Sequence, residues 1–361
     1  MDLEISVQPP ASRLCLVGCG FNLHGQITGE VTPSGDDPET SISGQPTVVT
    51  LSDALELRIL LQKWAYTVIR YDSEVLYYGL SSEGQPSKVL IGEETNLAWK
   101  RPLSSLFGTD QALLGATDGD GKLLQCHIAV AGNDQIAIIL ETRTPELNTL
   151  WEILQFANFQ GFKDWWTQGN VAAVLTRKIT EDAGTSLVGG STAFAFLSES
   201  GRILTWGDSR RPEALGRIPT EEKRASEPHI VDYLDGLPMK KIVAQTCLFG
   251  ALSREGGDVY LWGEMSGLTR DDGSQFRLSE LVEDELDTVN LLPLDVTVVD
   301  FGLGLAHIVV LTDEGELYSV GENDYRQLSF APPPVKMSDW MLSKFRAKSV
   351  MCGPLTTFIV R

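Results

Sequence analysis

Residues 300–329, DFGLGLAHIVVLTDEGELYSVGENDYRQLS, read as two short strands, a tight turn, a third strand and a glycine-led exit loop. The apolar run 308–311 suits a strand buried on both faces. Asp313-Glu314-Gly315 is a turn signal, residues 316–320 alternate polar and apolar side chains, and Gly321 opens the loop GENDYRQL. A unit this small cannot bury its own faces, so its meaning depends on whether the pattern returns along the chain.

It does return. The exit loop reappears as GFNLHGQI from Gly20 and as GLSSEGQ from Gly79, and the preceding strand and turn reappear as ESGRILTWG and EGGDVYLWG. The anchoring glycines are therefore Gly20, Gly79, Gly207, Gly263 and Gly321, at spacings of 59, 128, 56 and 58 residues. Continuing from Gly321 through Arg361 and back to Gly20 covers 60 residues, one more period. Each terminus then holds half a unit: SVMCGPLTTFIVR the first half, RLCLVGCGFNLHGQ the second. Pairing them would close a ring and leave no unpaired seam. The interval of 128 has room for one or two weaker units. One is expected around the turn Asp118-Gly119-Asp120-Gly121, another between Ile128 and Thr185.

These residues resemble the repeats of the regulator of chromosome condensation family. The resemblance implies an all-β fold, a β-propeller of about seven four-stranded blades, with six as the alternative count. The Gly-x-x-His element of that family is present at Gly304 and His307; Thr356 stands in the histidine's place in the C-terminal unit, and the unit around Cys247 lacks both residues. Trp64-Ala65-Tyr66-Thr67 is similar to a diverged copy. The resemblance implies a structural, hydrogen-bonding role for His307. For the small, single-propeller relatives it implies a non-catalytic interaction scaffold, a partner subunit of chromatin-modifying or of tRNA- or translation-factor-modifying machinery. The activity of the founding member, guanine-nucleotide exchange on a Ran-like GTPase, is the alternative, and no inserted wedge for displacing nucleotide is recognisable.

Composition agrees with one closed ring over residues 1–361, with insertions near 145–169 and 267–295. The chain is 42% hydrophobic and 22% charged, as expected of a soluble globular protein. No basic segment followed by an apolar one opens the N-terminus, and no apolar run approaches membrane-spanning length, so neither a signal peptide nor a membrane association is expected. Cys15, Cys19, Cys126, Cys247 and Cys352 have no framework spacing, which points to reduced thiols in the cytoplasm or nucleus and to no metal site. The formal charge of −20 opposes direct contact with nucleic acid, since gripping phosphates requires clustered cations. Arg210-Arg211 and Lys240-Lys241 are compact basic pairs. A basic protein partner, met as a monomer or within a heterodimer, fits the charge.

Two segments interrupt the repeat. In residues 145–169, Leu147, Leu150, Trp151, Leu154 and Ala157 fall at helical spacing, with Pro145 suited to a first turn and Gly161 to a stop. The reading is an amphipathic helix packed on a blade; the sharper alternative is an aromatic partner surface including Trp151, Trp165 and Trp166. Residues 29–46 are a polar loop, and residues 267–295 a second excursion. The latter contains ELVEDELD, which is either a solvated insert or a docking run in which Glu283, Asp284, Glu285 and Asp287 meet a basic partner.

Nothing in the chain marks a catalyst. There is no G-x-S-x-G elbow, and the four histidines, His24, His127, His229 and His307, are far apart in sequence. Gly189-Gly190 and Gly256-Gly257 fit β-turns rather than a phosphate loop. The acids of 280–287 lack the spacing of a calcium loop. No cofactor is expected.

Overall fold

The computed structural model describes residues 14–21, 42–52, 57–62, 66–71, 74–80, 86–91, 116–117, 123–124, 126–131, 133, 135–143, 149–168, 173–179, 184–265, 278, 281, 285–286, 288–328 and 339–361. In chain order, β1 (Leu14–Phe21) and β2 (Ile42–Ser52) are followed by a four-stranded sheet of β3 (Leu57–Gln62), β4 (Tyr66–Tyr71), β5 (Glu74–Leu80) and β6 (Pro86–Ile91). A hairpin of β7 (Ala116–Thr117) and β8 (Leu123–Leu124) flanks the Asp118–Gly121 turn signal. Next come a sheet of β9 (Cys126–Val130), β10 (Ile136–Arg143), β11 (Thr149–Phe156) and β12 (Leu175–Ile179), and one of β13 (Gly184–Gly189), β14 (Ala193–Ser198), β15 (Ile203–Gly207) and β16 (His229–Ile230). A five-stranded sheet contains β17 (Met239–Gln245), β18 (Leu248–Ser253), β19 (Val259–Gly263), β20 (Glu285–Leu286) and β21 (Val289–Leu291). The last full repeat holds β22 (Val298–Leu303), β23 (His307–Thr312), β24 (Glu316–Gly321) and β25 (Met341–Arg346); β26 (Ser349–Gly353) and β27 (Thr356–Val360) end the chain.

The termini share a sheet, in the order β2-β1-β27-β26. Leu16 pairs with Val360 and Gly20 with Thr356, antiparallel and in register, so the N-terminal strands form the outer half of the closing blade. The first strand of each sheet is innermost, and β9, β13, β17, β22, β26 and β3 lie side by side in that succession. The architecture is a β-propeller. Among the described residues it comprises six sheets of four or five strands and the β7–β8 hairpin, which sits in the stretch that the repeat spacing leaves for a further unit.

The core lies between blades. Phe194, Phe196 and Trp206 pack with Ala137 and Ile153 of the preceding sheet; Phe249 and Trp262 pack with Val188 and Leu197. Val309 and Leu311 pack with Val17 and Ile359 across the closure. Central strands β14, β18 and β23 are accordingly buried at every position, as the unbroken apolar run 308–311 implies. Outermost β25 instead alternates half-buried and exposed residues and carries Lys344 and Arg346 on its exposed side.

Three sequence readings are corrected. The helical stripe over 147–157 is β11, hydrogen-bonded between β10 and β12; with both strand faces covered, apolar residues fall at odd and even positions and mimic helical spacing. The helix of this insertion, α1 (Phe159–Gln168), starts where the stripe was expected to stop: Asn158 Oδ1 accepts the Gly161 amide at 2.9 Å as its N-cap. The loop 29–46 is shorter than expected, since β2 begins at Ile42 and runs through Pro46, on an outermost strand where a missing amide is tolerated. In the second unit Tyr66 pairs with Gly79 as His307 pairs with Gly321, so Tyr66 rather than Thr67 takes the histidine's register.

Candidate functional site

Each repeat sends its exit loop from one face of the ring, and a single contact fixes where the loop begins. A Cβ on Gly263 would lie 1.9 Å from the Cys247 carbonyl oxygen, and one on Gly321 2.3 Å from that of Ala306. Both glycines have positive φ, 96° and 108°. The same carbonyls accept the next amide: Glu264 N–H reaches Cys247 O at 3.2 Å, Glu322 N–H reaches Ala306 O at 2.8 Å, and Asp208 N–H reaches Thr192 O at 3.0 Å. Three successive loops thus start with an acidic residue in one register, on one face.

The residue before Gly207, Gly263 and Gly20 ties its blade to the preceding one. Trp206 Nε1 donates to Gln155 Oε1 at 2.8 Å and Trp262 Nε1 to the Ala214 carbonyl at 3.2 Å. In the closing blade Cys19 has this position, and its thiol donates to the Gln327 carbonyl at 3.1 Å. Both indoles are fully buried and stacked on their cross-strand partners, Phe194 at 5.4 Å and Phe249 at 5.8 Å. Behind the seam, His307 Nε2 lies 3.1 Å from the Thr357 hydroxyl. Burial brings the His307 imidazole down to about 4 and pushes the Cys352 thiol up to about 12. Both groups are neutral and inert at physiological pH. Cys247 and Cys352 are free thiols.

Of the Arg210-Arg211 and Lys240-Lys241 pairs, Arg210, Arg211 and Lys241 are ion-paired within the fold. Arg210 grips the Asp208 carboxylate through Nε at 3.0 Å to each oxygen, which holds Asp208 down at about 2. Arg211 Nη1 lies 3.7 Å from Glu213 and 3.5 Å from Glu264 of the next blade. Register breaks between Met239 and Lys241, so the adjacent lysines diverge: Lys240 is exposed, while Lys241 reaches Asp300 at 2.5 Å and the Phe301 carbonyl at 2.8 Å. Beyond these pairs, Glu322 shares a hydrogen bond with Asp324, and burial followed by the Asp324 charge raises it to about 7.

The sequence-derived site residues divide. Trp151 is a half-buried β11 residue packed against the core between the third and fourth sheets. Trp165 is half-buried on α1, its ring 5.3 Å from Phe156 and 6.2 Å from fully buried Phe162, so much of the aromatic segment serves its own blade. Trp166 lies on the same helix, its side chain outside the described set. Glu285 is in β20, the outer strand of a hairpin added to the β17–β19 sheet, while Glu283, Asp284 and Asp287 lie outside the described residues. The hairpin touches the preceding blade, Thr288 Oγ1 donating to the Gly216 carbonyl at 2.7 Å. Sequence reading missed Arg217, 2% exposed, whose guanidinium donates to the carbonyls of Thr205, Lys223, Arg224 and Glu227 and holds the 208–228 loop together. Only its place inside a long loop could have drawn notice.

No family profile matches the chain. It is 26% identical over 200 residues to human RCC1 domain-containing protein 1, covering 45% of this chain and 52% of the relative. It is 31% identical over 136 residues to mouse regulator of chromosome condensation, covering 38% and 30%. Over about two fifths of its length the chain is thus similar to proteins of the regulator of chromosome condensation repeat family. Alignment with RCC1 domain-containing protein 1 spans about half of that relative's length. Among solved structures, the Saccharomyces cerevisiae Prp20p structure aligns over 98% of this chain and 92% of its own at 14% identity and TM-score 0.49, and human WBSCR16 over 96% and 98% at 14% and 0.47. No helix among the described residues is long and apolar enough to cross a membrane.

Proposed function

We propose that this chain is a non-catalytic scaffold of the regulator of chromosome condensation repeat family that presents the exit-loop face of its propeller to a basic protein partner. In this reading it works in the nucleus or cytoplasm, as a subunit of a chromatin-modifying or a tRNA- or translation-factor-modifying assembly. The observation that carries the reading is the shared register in which the loops beginning at Asp208, Glu264 and Glu322 leave one face; with Arg210 and Arg211 paired to the first two carboxylates, the reading assigns the contact with a basic partner to the acidic run of residues 280–287, which follows Gly263 in the chain. Rigid blades with variable loops on one face suit partner binding. Arg210, Arg211 and Lys241 are ion-paired within the fold, which weakens them as grips on a phosphate backbone.

The test is capture of a purified basic protein, a histone H3–H4 tetramer, by the full chain across a salt titration, with Glu283, Asp284, Glu285 and Asp287 all changed to Lys. Binding that weakens with salt and falls at least about tenfold in the variant supports the reading. Equal capture by both chains, or salt-insensitive capture, refutes it; a salt-insensitive result lost on Trp165→Ala would move the surface to α1. Acceleration of nucleotide release from a Ran-like GTPase would replace the scaffold reading with exchange.

A further inference from the structure

Arg217 does more than close a loop. Two of the carbonyls it holds, those of Arg224 and Glu227, belong to one tight turn closed by the Glu227 amide on the Arg224 carbonyl at 3.2 Å. Ala225 is buried, and its carbonyl accepts the Gly207 amide at 2.8 Å; Ser226 beside it is exposed. The chain therefore presents a hydroxyl-bearing residue on a turn anchored from beneath. Lys223 and Arg224 stand three and two positions ahead of it, Arg224 exposed and Lys223 partly so.

Charges of both signs surround the turn, Lys223 and Arg224 standing between Glu221-Glu222 and Glu227 in a protein whose formal charge is −20. Three residues on, burial and the charges of Arg217, Arg177 and Lys223 lower the pKa of His229, and Arg177 comes from β12 of the preceding sheet. Opposing them are Glu227, whose carboxylate is 3.7 Å from His229 Nε2, and Asp232, ion-paired with Lys223.

We propose that Ser226 is a phosphorylation site for a serine/threonine kinase that reads basic residues two and three positions ahead of its target. The Ser226 oxygen attacks the γ-phosphorus of ATP; the new O–P bond forms as the bond to the bridging oxygen breaks, ADP leaves with that electron pair, and the hydroxyl proton passes to the kinase's catalytic carboxylate. The product adds a charge of about −1.5 to −2 at a turn where Lys223 and Arg224 offset the repulsion of Glu227. The site does not depend on the partner assigned to the exit-loop face.

The experiment treats the folded full chain with the catalytic subunit of cyclic-AMP-dependent protein kinase and ATP, then reads intact mass and maps the site by peptide mass spectrometry. Phosphate mapped to Ser226 is expected and is absent from that peptide in Ser226→Ala; Thr180, which follows Arg177-Lys178 at the same spacing, is scored separately and changed to Ala in both chains. Replacing Lys223 and Arg224 by Ala should slow incorporation about tenfold, while the melting temperature of the variant stays near that of the parent because exposed charges contribute little stability. No phosphate on Ser226, phosphate in that peptide that survives Ser226→Ala, or incorporation only after heat denaturation overturns the proposal.

Discussion

The Cys19 thiol donates to the Gln327 carbonyl oxygen at 3.1 Å, joining the N-terminal strand to the exit loop of the last full repeat. Gln327 also accepts the Tyr325 amide at its side-chain oxygen, and Leu328 beside it is buried against the closing blade. The ring is thus sealed twice, by the β1–β27 ladder and by this loop. Removing residues 349–361 would strip β26 and β27, opening the edge of β1 and one side of β22. The expected product is insoluble or partly unfolded. Soluble yield and thermal melting check it, and a melting temperature equal to that of the full chain would exclude a shared blade.

Trp206 and Trp262 have one role in successive repeats, an indole buried between blades with its N–H donated backward. Either Trp→Ala change should cost about 3–5 kcal/mol, as large aromatic truncations in a core do. Trp→Phe keeps the stack and loses the donor, leaving Gln155 Oε1 or the Ala214 carbonyl short of a partner, at about 1–3 kcal/mol. Denaturant unfolding of the four variants separates packing from hydrogen bonding; losses below about 1 kcal/mol for both alanine variants would contradict the common register.

The strands with glycine-bounded turns were legible in the sequence because each device is local. Asp313-Glu314-Gly315 makes its turn wherever it stands, and a glycine whose Cβ would meet a carbonyl at about 2 Å cannot be replaced by another residue. Closure was legible too, since the two half-units add up to one period. What escaped depends on partners distant in sequence. β11 reads as a helix until β10 and β12 cover it, and Cys19 does not announce itself as the counterpart of Trp262. Lys240-Lys241 reads as one basic patch, yet a bulge sends one lysine to solvent and the other to Asp300. The acidic register of Asp208, Glu264 and Glu322 was present in the sequence but gained meaning only once their amides were seen on equivalent carbonyls.

Asp300 links three innermost strands. Its carboxylate takes Lys241 Nζ from β17 at 2.5 Å and the Val350 amide from β26 at 2.9 Å, besides its neighbour Phe301 N–H. Asp300→Ala would leave a largely buried ammonium and an amide without their acceptor, an expected loss of about 3–5 kcal/mol. Lys241→Met alone should cost less, because Asp300 keeps two amide donors. A double-mutant cycle on this pair should show coupling above about 1 kcal/mol; additive losses would mean that the ion pair contributes nothing beyond its separate members.

Two buried groups should act on the fold in opposite directions over nearly the same pH range. Buried His307 is held at about 4, below its ordinary 6.5, so between those values the unfolded chain binds a proton that the folded one refuses. Stability is intact above pH 6.5 and falls as pH drops toward 4, by about 3 kcal/mol in all. Glu322 has the opposite sign. Burial, then the Asp324 charge, raises it from 4.5 to about 7, so the folded chain retains the proton longer. Its contribution is present below pH 4.5 and is lost as pH rises through 7. The two windows overlap and their slopes oppose, so these two contributions should nearly cancel in urea unfolding of the parent from pH 4 to 8.5. Glu322→Gln should expose the His307 slope, with stability rising from pH 4 to 6.5, and His307→Gln the Glu322 slope, with stability falling from pH 4.5 to 7. A His307→Gln chain that still loses stability on acidification over this range would assign acid lability to the other carboxylates instead.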